Sequence, residues 1–531
     1  MSVSSVLRQH PRRTWQAERP RTFYLVAPAG VPNWGDELIV ATWLRYLART
    51  NPDATVVVDC HSPGKAAVLL RGLHPNLVVT NTLWDLVERA GREVFPQGDT
   101  AVTADEVNIA QLAKLCELTR SWVLDGGAQA DLATNLDLVG NADVLHVVGG
   151  GYLNDMWPHH AAIIAAVAAV AERQRPEGEP RPLFVATGAG LMPQRQGIIL
   201  PYLLQADVVT VRDAASAAVL QHAVDGLAKL EAEGTRQPYQ PLPRAEFARV
   251  GDDTWVAVAL GIVEEASVRQ EEERAAADAA AARRPLWKRL SEKLHHADAG
   301  EQPGGREQEA SRTSAPGAPD PLAEPGEHVD LEPFAVTHSD VPVLEWGLQH
   351  LSFADTHSRF PYHPAPHGRT TVLCVQSDLV DGQEALWTWV QETLTAWEVT
   401  GPDLLVVECI PYGDYAIWQH VVEEHFPGAE FMPFARLWRE GLPVGEDVRW
   451  LTTRFHPHLL ASAAGCEGVA VDAHGAGYYA VKHGSVQAAG SLWPMVHPVG
   501  LPARPPHHNC DVSRRETSIR QALELAEAIY R

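Results

Sequence analysis

The stretch ADVLHVVGGGY, residues 142–152, is an apolar run that stops abruptly on three glycines. A short apolar run bounded by turn residues reads as a fully buried strand. Working outward, the same pattern recurs in TFYLVAPAG (22–30), ATVVVDC (54–60) and NLVVTNT (76–82) before it, and in PLFVATGAG (182–190) and ADVVTVRD (206–213) after it. Between the first two lies VPNWGDELIVATWLRYLART, in which Leu38, Ile39, Trp43, Leu44 and Leu47 share one helical face. Valine-rich strands alternating with helices predict a parallel sheet covered on both faces.

The pattern resumes near the other end of the chain. TTVLCVQSD (370–378), DLLVVECIP (403–411) and EGVAVDAH (467–474) read as strands. GQEALWTWVQETLTAWEV (382–399) and the terminal SRRETSIRQALELAEAIYR read as helices, and VRWLTTRFHPHLLASAAG (448–465) as a strand or turn feeding a helix. The intervening 263–340 begins charged and alanine-rich and becomes a Pro/Gly/Ser/Glu stretch almost without large apolar residues. Such a composition cannot offset its ordering entropy, which predicts a disordered linker or insertion. The expected organisation is a basic flexible arm (1–21), a Rossmann-like domain (22–262), the insertion (263–340), and a second Rossmann-like domain with a terminal helix (341–531).

A chain of 531 residues is too long for one ordinary core, and 45% hydrophobic residues suffice for two. The net charge of −24 argues against broad nucleic-acid binding but leaves room for a local basic pocket. The six cysteines form no CxxC pair and read as reduced core thiols; the scattered histidines define no metal site. AAIIAAVAAVAE (161–172) is too short to span a bilayer, and the N-terminus carries no apolar run after its arginines, so a cytoplasmic protein is expected. Arg8, Arg12, Arg13, Arg19 and Arg21 form either a solvated tail or a contact for the inner face of an anionic membrane.

Ligands of open α/β sheets sit beyond the carboxyl ends of strands. At the first such end, NWGDE (33–37) is either an anion site at a helix N-terminus, with Gly35 allowing close approach, or a turn with an Asp cap. GGGYLND (149–155) and TGAGLMP (187–193) are either ligand loops or plain glycine turns; neither GxGxxG nor GxxxxGK[ST] occurs. Arg212, in VTVRDAAS (209–216), either reaches a phosphate or carboxylate or pairs with a neighbouring Asp. In LTTRFHPHLL (451–460), Arg454 and His456 face one side if the segment is extended, and Lys482 in GAGYYAVKHG (475–484) is the next cation on an apolar background. The three could converge on one small, multiply charged anion, or be an ion pair and a core histidine.

In this order, these segments resemble the polysaccharide pyruvyl transferase family. The resemblance is carried by NWGDELIVATWLRYL, DVLHVVGGGYLND, VATGAGLMP, VTVRDAAS and TTRFHPHLLASAAGCEGVAVDAHGAGYYAVKHG, and runs over about 22–260 and 370–490. It implies a GT-B-like α/β fold, two Rossmann-like domains with a cleft between them. It also implies transfer of the enolpyruvyl-derived group of phosphoenolpyruvate onto two hydroxyls of a cell-surface polysaccharide or its lipid-linked precursor. The products would be a pyruvate ketal and phosphate, with phosphoenolpyruvate as co-substrate and no cofactor or metal. By motif position, Arg212, Arg454 and Lys482 would hold the donor and His456 would be the acid/base, with His458 a second candidate. Asn33, Asp36, Gly149, Gly150, Gly151 and Asp155 would face the acceptor. The alternatives are a GT-B-like glycosyltransferase using a nucleotide sugar, against which no convincing ribose-binding E-x(7)-E pattern stands near the C-terminal strands, and a silent carbohydrate-binding protein of the same fold.

Overall fold

A computed structural model describes residues 20–95, 109–125, 130–173, 180–194, 197–233, 246–261, 360–445, 447–474, 477–505 and 510–530. The expected arm, save Pro20 and Arg21, and the whole 263–340 insertion lie outside these residues.

The first sheet has seven parallel strands in the order β3-β2-β1-β4-β5-β6-β7. They are β1 (Thr22–Ala27), β2 (Thr55–Cys60), β3 (Leu77–Thr80), β4 (Val144–Val147), β5 (Leu183–Ala189), β6 (Val208–Val211) and β7 (Glu246–Arg249). Strand order reverses beside β1, so β1 and β4 diverge in their crossovers and leave a crevice at their carboxyl ends. β1 and β4 are buried almost throughout, as their unbroken apolar runs require. Helix α1 (Trp34–Thr50) buries Leu38, Ile39, Trp43, Leu44 and Leu47, the face anticipated from its periodicity. Helix α2 (Ala161–Glu172) buries residues on all sides; it is a core helix. Helix α3 (Ala214–Ala232) follows β6.

The second half repeats the architecture with a six-stranded parallel sheet, order β11-β10-β9-β13-β14-β15. Its strands are β9 (Thr371–Cys374), β10 (Leu404–Val407), β11 (Glu430–Met432), β13 (Arg449–Thr452), β14 (Glu467–Val471) and β15 (Met495–Val496); β8 (Tyr362–Pro364) and β12 (Leu442–Val444) pair separately. Helices α4 (Phe455–Ala463) and α5 (Tyr478–Ala488) follow β13 and β14. The protein is α/β with two parallel sheets, as the sequence predicts. The very short β11, β15 and β7 were not anticipated, because two to four residues are too few to show a period.

One core cluster is continuous between the two sheets. It includes Phe23, Val56 and Trp43 of the first half, Trp255, Val256, Ala257, Val258 and Leu260, and Val372, Leu405 and Trp450 of the second. The last helix, α6 (Val512–Tyr530), belongs to the second half by sequence order, yet its end lies on the first sheet. The Tyr530 ring packs edge-on to Phe23 at 4.9 Å, and its hydroxyl lies 2.5 Å from His146 Nδ1 in β4. Arg21 Nη1 donates to the Tyr530 carbonyl oxygen at 2.8 Å, so the arm ends before it. Of the cysteines, Cys60, Cys116, Cys374, Cys409 and Cys466 are buried and Cys510 is half-buried.

Tyr530 is 1% exposed. Replacing it by alanine removes a buried aromatic and strands His146, so Tyr530→Ala should cost about 3–5 kcal/mol of stability. Chemical denaturation measures this; an unchanged midpoint would show that α6 is dispensable to the first sheet.

Candidate active site

The carboxyl ends of both sheets meet. From the first half, Asn33 caps α1: its Oδ1 accepts from the Gly35 amide at 3.2 Å, while its Nδ2 donates to Asp36 Oδ2 at 2.7 Å. The cap is therefore Asn33, and Asp36 is turned toward the other half. Burial pushes the Asp36 carboxyl up in pKa, and His456, Lys482 and Arg212 pull against that rise.

From the second half, His456 sits in the first turn of α4 and lays its ring on Gly35. A Cβ on Gly35 would fall 1.8 Å from His456 Nδ1, so only glycine fits. His456 Nε2 is buried without a hydrogen-bond partner, 3.6 Å from Asp252 Oδ1. Burial alone would raise Asp252; His456, Arg212 and the Thr254 amide outweigh it and hold that carboxyl at about 2.

Arg212 reaches the same place from the end of β6. Its side chain is 3% exposed, and its Nη1 lies 3.7 Å from Asp252 Oδ2 and its Nε 3.9 Å from Asp213 Oδ2, too far for hydrogen bonds. Asp213 instead caps α3, accepting from the Ser216 amide at 2.7 Å and the Ser216 hydroxyl at 2.9 Å. Arg212 Nε has no hydrogen-bond partner, and its Cζ lies 4.8 Å from the Phe455 ring centre. Lys482 enters from α5, with its Nζ 3.8 Å from the Tyr478 ring centre. Burial and then Arg212 push its pKa well below the usual lysine value. Gly151 lies between the two cations: a Cβ there would be 3.1 Å from Arg212 Nη2 and 3.6 Å from Lys482 Nζ.

The structure thus brings together Asp36, Gly151, Arg212, His456 and Lys482. Gly149 and Gly150 form the loop floor: the Gly149 amide donates to Asp253 Oδ2 at 2.9 Å, and the Gly150 carbonyl accepts from the Gly190 amide at 3.0 Å. Asp253 also accepts from Trp43 Nε1 and the Thr187 hydroxyl, and Thr187 lies 2.7 Å from His146, which contacts Tyr530. Burial lifts Asp253 to about 6 despite these donors and drops His146 to about 3.

Three candidates go elsewhere. Arg454 does not face open space. Its Nη2 lies 2.6 Å from Asp414 Oδ1 and 2.8 Å from Asp378 Oδ1, and its Nε donates to Asp414 at 2.9 Å. Residues 455–463 are helical, so Arg454 and His456 diverge rather than sharing one side. Asp155 turns away and accepts from Gln194 Nε2 at 2.9 Å. His458 is a core residue, 3.0 Å from His483 Nδ1, 2.8 Å from Ser491 Oγ and stacked on Trp493, so it shares no role with His456. Cys374, Cys409 and Asp414 hold ligand-type atoms within 4.8 Å of one another, but Asp414 spends its oxygens on Arg454 and the Cys409 and Ile410 amides.

Sequence reasoning missed Asp252 and Asp253. The only signal was the GDD at 251–253, a glycine and two carboxylates after a strand too short to recognise.

Residues 33–225 match the model of the polysaccharide pyruvyl transferase family. The match runs from the α1 cap into α3 and so contains Asp36, Gly151 and Arg212, while His456 and Lys482 lie beyond it. No curated protein matches the chain. Among solved structures, the UDP-GlcNAc 2-epimerase of Neisseria meningitidis is similar with a TM-score of 0.37 and 8% identity, covering 96% of this chain and 93% of that one. The glycosyltransferase SnogD of Streptomyces nogalater gives a TM-score of 0.37 and 12% identity, covering 96% of each. At these scores the fold rests on the two strand orders themselves.

The Arg454 geometry makes a stability prediction. Asp414 is fully buried, so Arg454→Ala would leave an uncompensated charge and should cost about 3–5 kcal/mol. Thermal and chemical denaturation of Arg454→Ala beside Arg454→Lys measure it; a variant as stable as the wild type would return Arg454 to the list of free cations.

Proposed function

We propose that the protein is a polysaccharide pyruvyl transferase, moving the enolpyruvyl-derived group of phosphoenolpyruvate onto two hydroxyls of a saccharide and releasing phosphate. The observation that carries this reading is the meeting of Arg212, Lys482 and His456 around Gly151. A buried arginine and a half-buried lysine, neither with a hydrogen-bonded carboxylate partner among the described residues, stand beside a histidine with an unpartnered ring nitrogen. Phosphoenolpyruvate is a small polyanion, and fixed cations in a partly desolvated site hold such a ligand more strongly than surface charges do.

The chemistry fits these groups. The methylene carbon of the donor takes a proton as the first sugar hydroxyl adds to the neighbouring carbon and gives up its own. The second hydroxyl then displaces phosphate, closing the ketal, and its proton leaves with the phosphate. His456 is the group that exchanges protons in this scheme, with the Asp252 carboxylate 3.6 Å from its Nε2. Arg212 and Lys482 bind the donor and stabilise the departing phosphate. Phosphoenolpyruvate is consumed as a co-substrate, with no resident cofactor. The reaction takes place in the cytoplasm on a glycan or its lipid-linked precursor, with any membrane contact made peripherally; among the described residues no helix is long and apolar enough to cross a membrane.

Calorimetry with phosphoenolpyruvate alone tests the donor site without knowledge of the acceptor. Saturable binding is expected in the wild type, with a loss of about 100-fold in Arg212→Ala. A bound anion also raises the depressed pKa of Lys482. Binding should therefore take up protons, and affinity should fall as pH rises; titrations in buffers of different ionisation enthalpy read this out. Absence of binding in the wild type, or binding unchanged in Arg212→Ala, would overturn the reading.

A further inference from the structure

A cavity of about 470 Å³ adjoins the cluster on the side of β6 and β7. That lies within the roughly 300–1,000 Å³ typical of small-molecule sites. Arg212 and Asp252 form its inner wall, and each keeps a buried polar atom without a hydrogen-bond partner, Nε and Oδ2 respectively. The other walls come from both halves and from α6: Arg249, Trp255, Gly484, Ser485, Arg514 and Thr517 among them. This is a hydroxyl-rich lining with an aromatic, the chemistry that holds a polyol.

The charges around it are not equivalent. Arg514 is engaged by Asp511, with Nε 3.3 Å from Oδ2. Asp213 is spent on Ser216, and Asp252 Oδ1 on the Thr254 amide and hydroxyl. Arg249 is exposed at the end of β7, and its side chain makes no ion pair or hydrogen bond among the described residues. The cavity therefore offers one uncompensated cation at its rim and an unsaturated arginine at its floor.

We propose that this cavity binds the acceptor, a saccharide carrying an anionic substituent, phosphate or carboxylate, that Arg249 recognises. The proposal rests on the transfer reading only in calling this ligand the acceptor. Asp252 lines the cavity and lies 3.6 Å from His456 Nε2, so a sugar hydroxyl bound there stands beside the proton-exchanging group. The region of Asn33 and the glycine loop, expected to face the acceptor, has fewer free groups. Asn33 is committed to the α1 cap and Asp36, and the Gly149 amide to Asp253.

Gly484 provides a clean plug. A Cβ there meets nothing within 4 Å, and the residue is inside α5, where a side chain costs no backbone strain. Saturation-transfer NMR on the full chain with glucose, glucose 6-phosphate and glucuronate, in wild type, Gly484→Phe and Arg249→Glu, tests the proposal. The wild type should bind at least one anionic sugar about tenfold more tightly than glucose, a difference typical of one charge-assisted hydrogen bond. Which anionic sugar gains identifies phosphate or carboxylate as the group read. Arg249→Glu should abolish the preference, Arg249→Lys should restore most of it, and Gly484→Phe should remove saccharide binding. Equal binding of all three sugars, or undiminished binding in Gly484→Phe at an unchanged denaturation midpoint, would overturn it. Phosphoenolpyruvate titrations of the wild type are the separate check on the donor, so a failure of that reading and a failure of this one are distinguishable.

Discussion

The contact between the His456 ring and the bare backbone of Gly35 is the constraint on which the site depends. It brings the first turn of α4 onto the first turn of α1, one helix from each half, at a distance no side chain on residue 35 would allow. A second tie lies close by: the Trp34 amide donates to the Cys409 carbonyl oxygen at 2.9 Å. With these in place, the loop ends of β4 and β6 face those of β13 and β14, and Arg212 and Lys482 reach the same glycine from opposite sheets.

Within a chain of net charge −24, what distinguishes the site is the way its carboxylates are distributed. Arg454 has two of them within hydrogen-bonding distance and is neutralised in place. Arg212 has two just outside that distance, Asp213 Oδ2, which accepts from Ser216, and Asp252 Oδ2, which accepts from no donor among the described residues, and so keeps its capacity for a ligand. A difference of about 1 Å separates a structural arginine from a binding one, because hydrogen-bond energy falls away steeply over that interval. Asp252 serves two purposes in this arrangement. It stays ionised at about 2 because His456 and Arg212 are near, and its charge in turn keeps them in position.

The glycine loop is held from behind by a buried polar chain. Tyr530 contacts His146, His146 contacts Thr187, Thr187 donates to Asp253, and Asp253 accepts from the Gly149 amide. Every member is buried and partnered, so breaking one link leaves another polar group without water or partner. The last turn of α6 therefore helps to fix a loop formed almost 400 residues earlier in the chain, linking the terminal helix to the geometry of the site.

Much of this was legible in the sequence. Unbroken apolar runs such as TFYLVA and VLHV can be buried on both faces only in a covered parallel sheet, and that alone specifies the α/β class and places Asp36, Gly151 and Arg212 at strand ends. His456 and Lys482 were also visible, as cations on apolar backgrounds. The partners were not. Sequence spacing offered the same reading for Arg454 as for Arg212, and for His458 as for His456. The outcome turned on residues 33 to 204 positions away: Asp378, Asp414 and Ser491 claim one member of each pair, while Asp252 leaves the other incompletely satisfied. Local sequence determines which elements form because periodicity and burial act over neighbouring residues. Which charges remain free was decided only by the tertiary structure, because desolvation and ion pairing depend on distances that the packing of the two sheets sets.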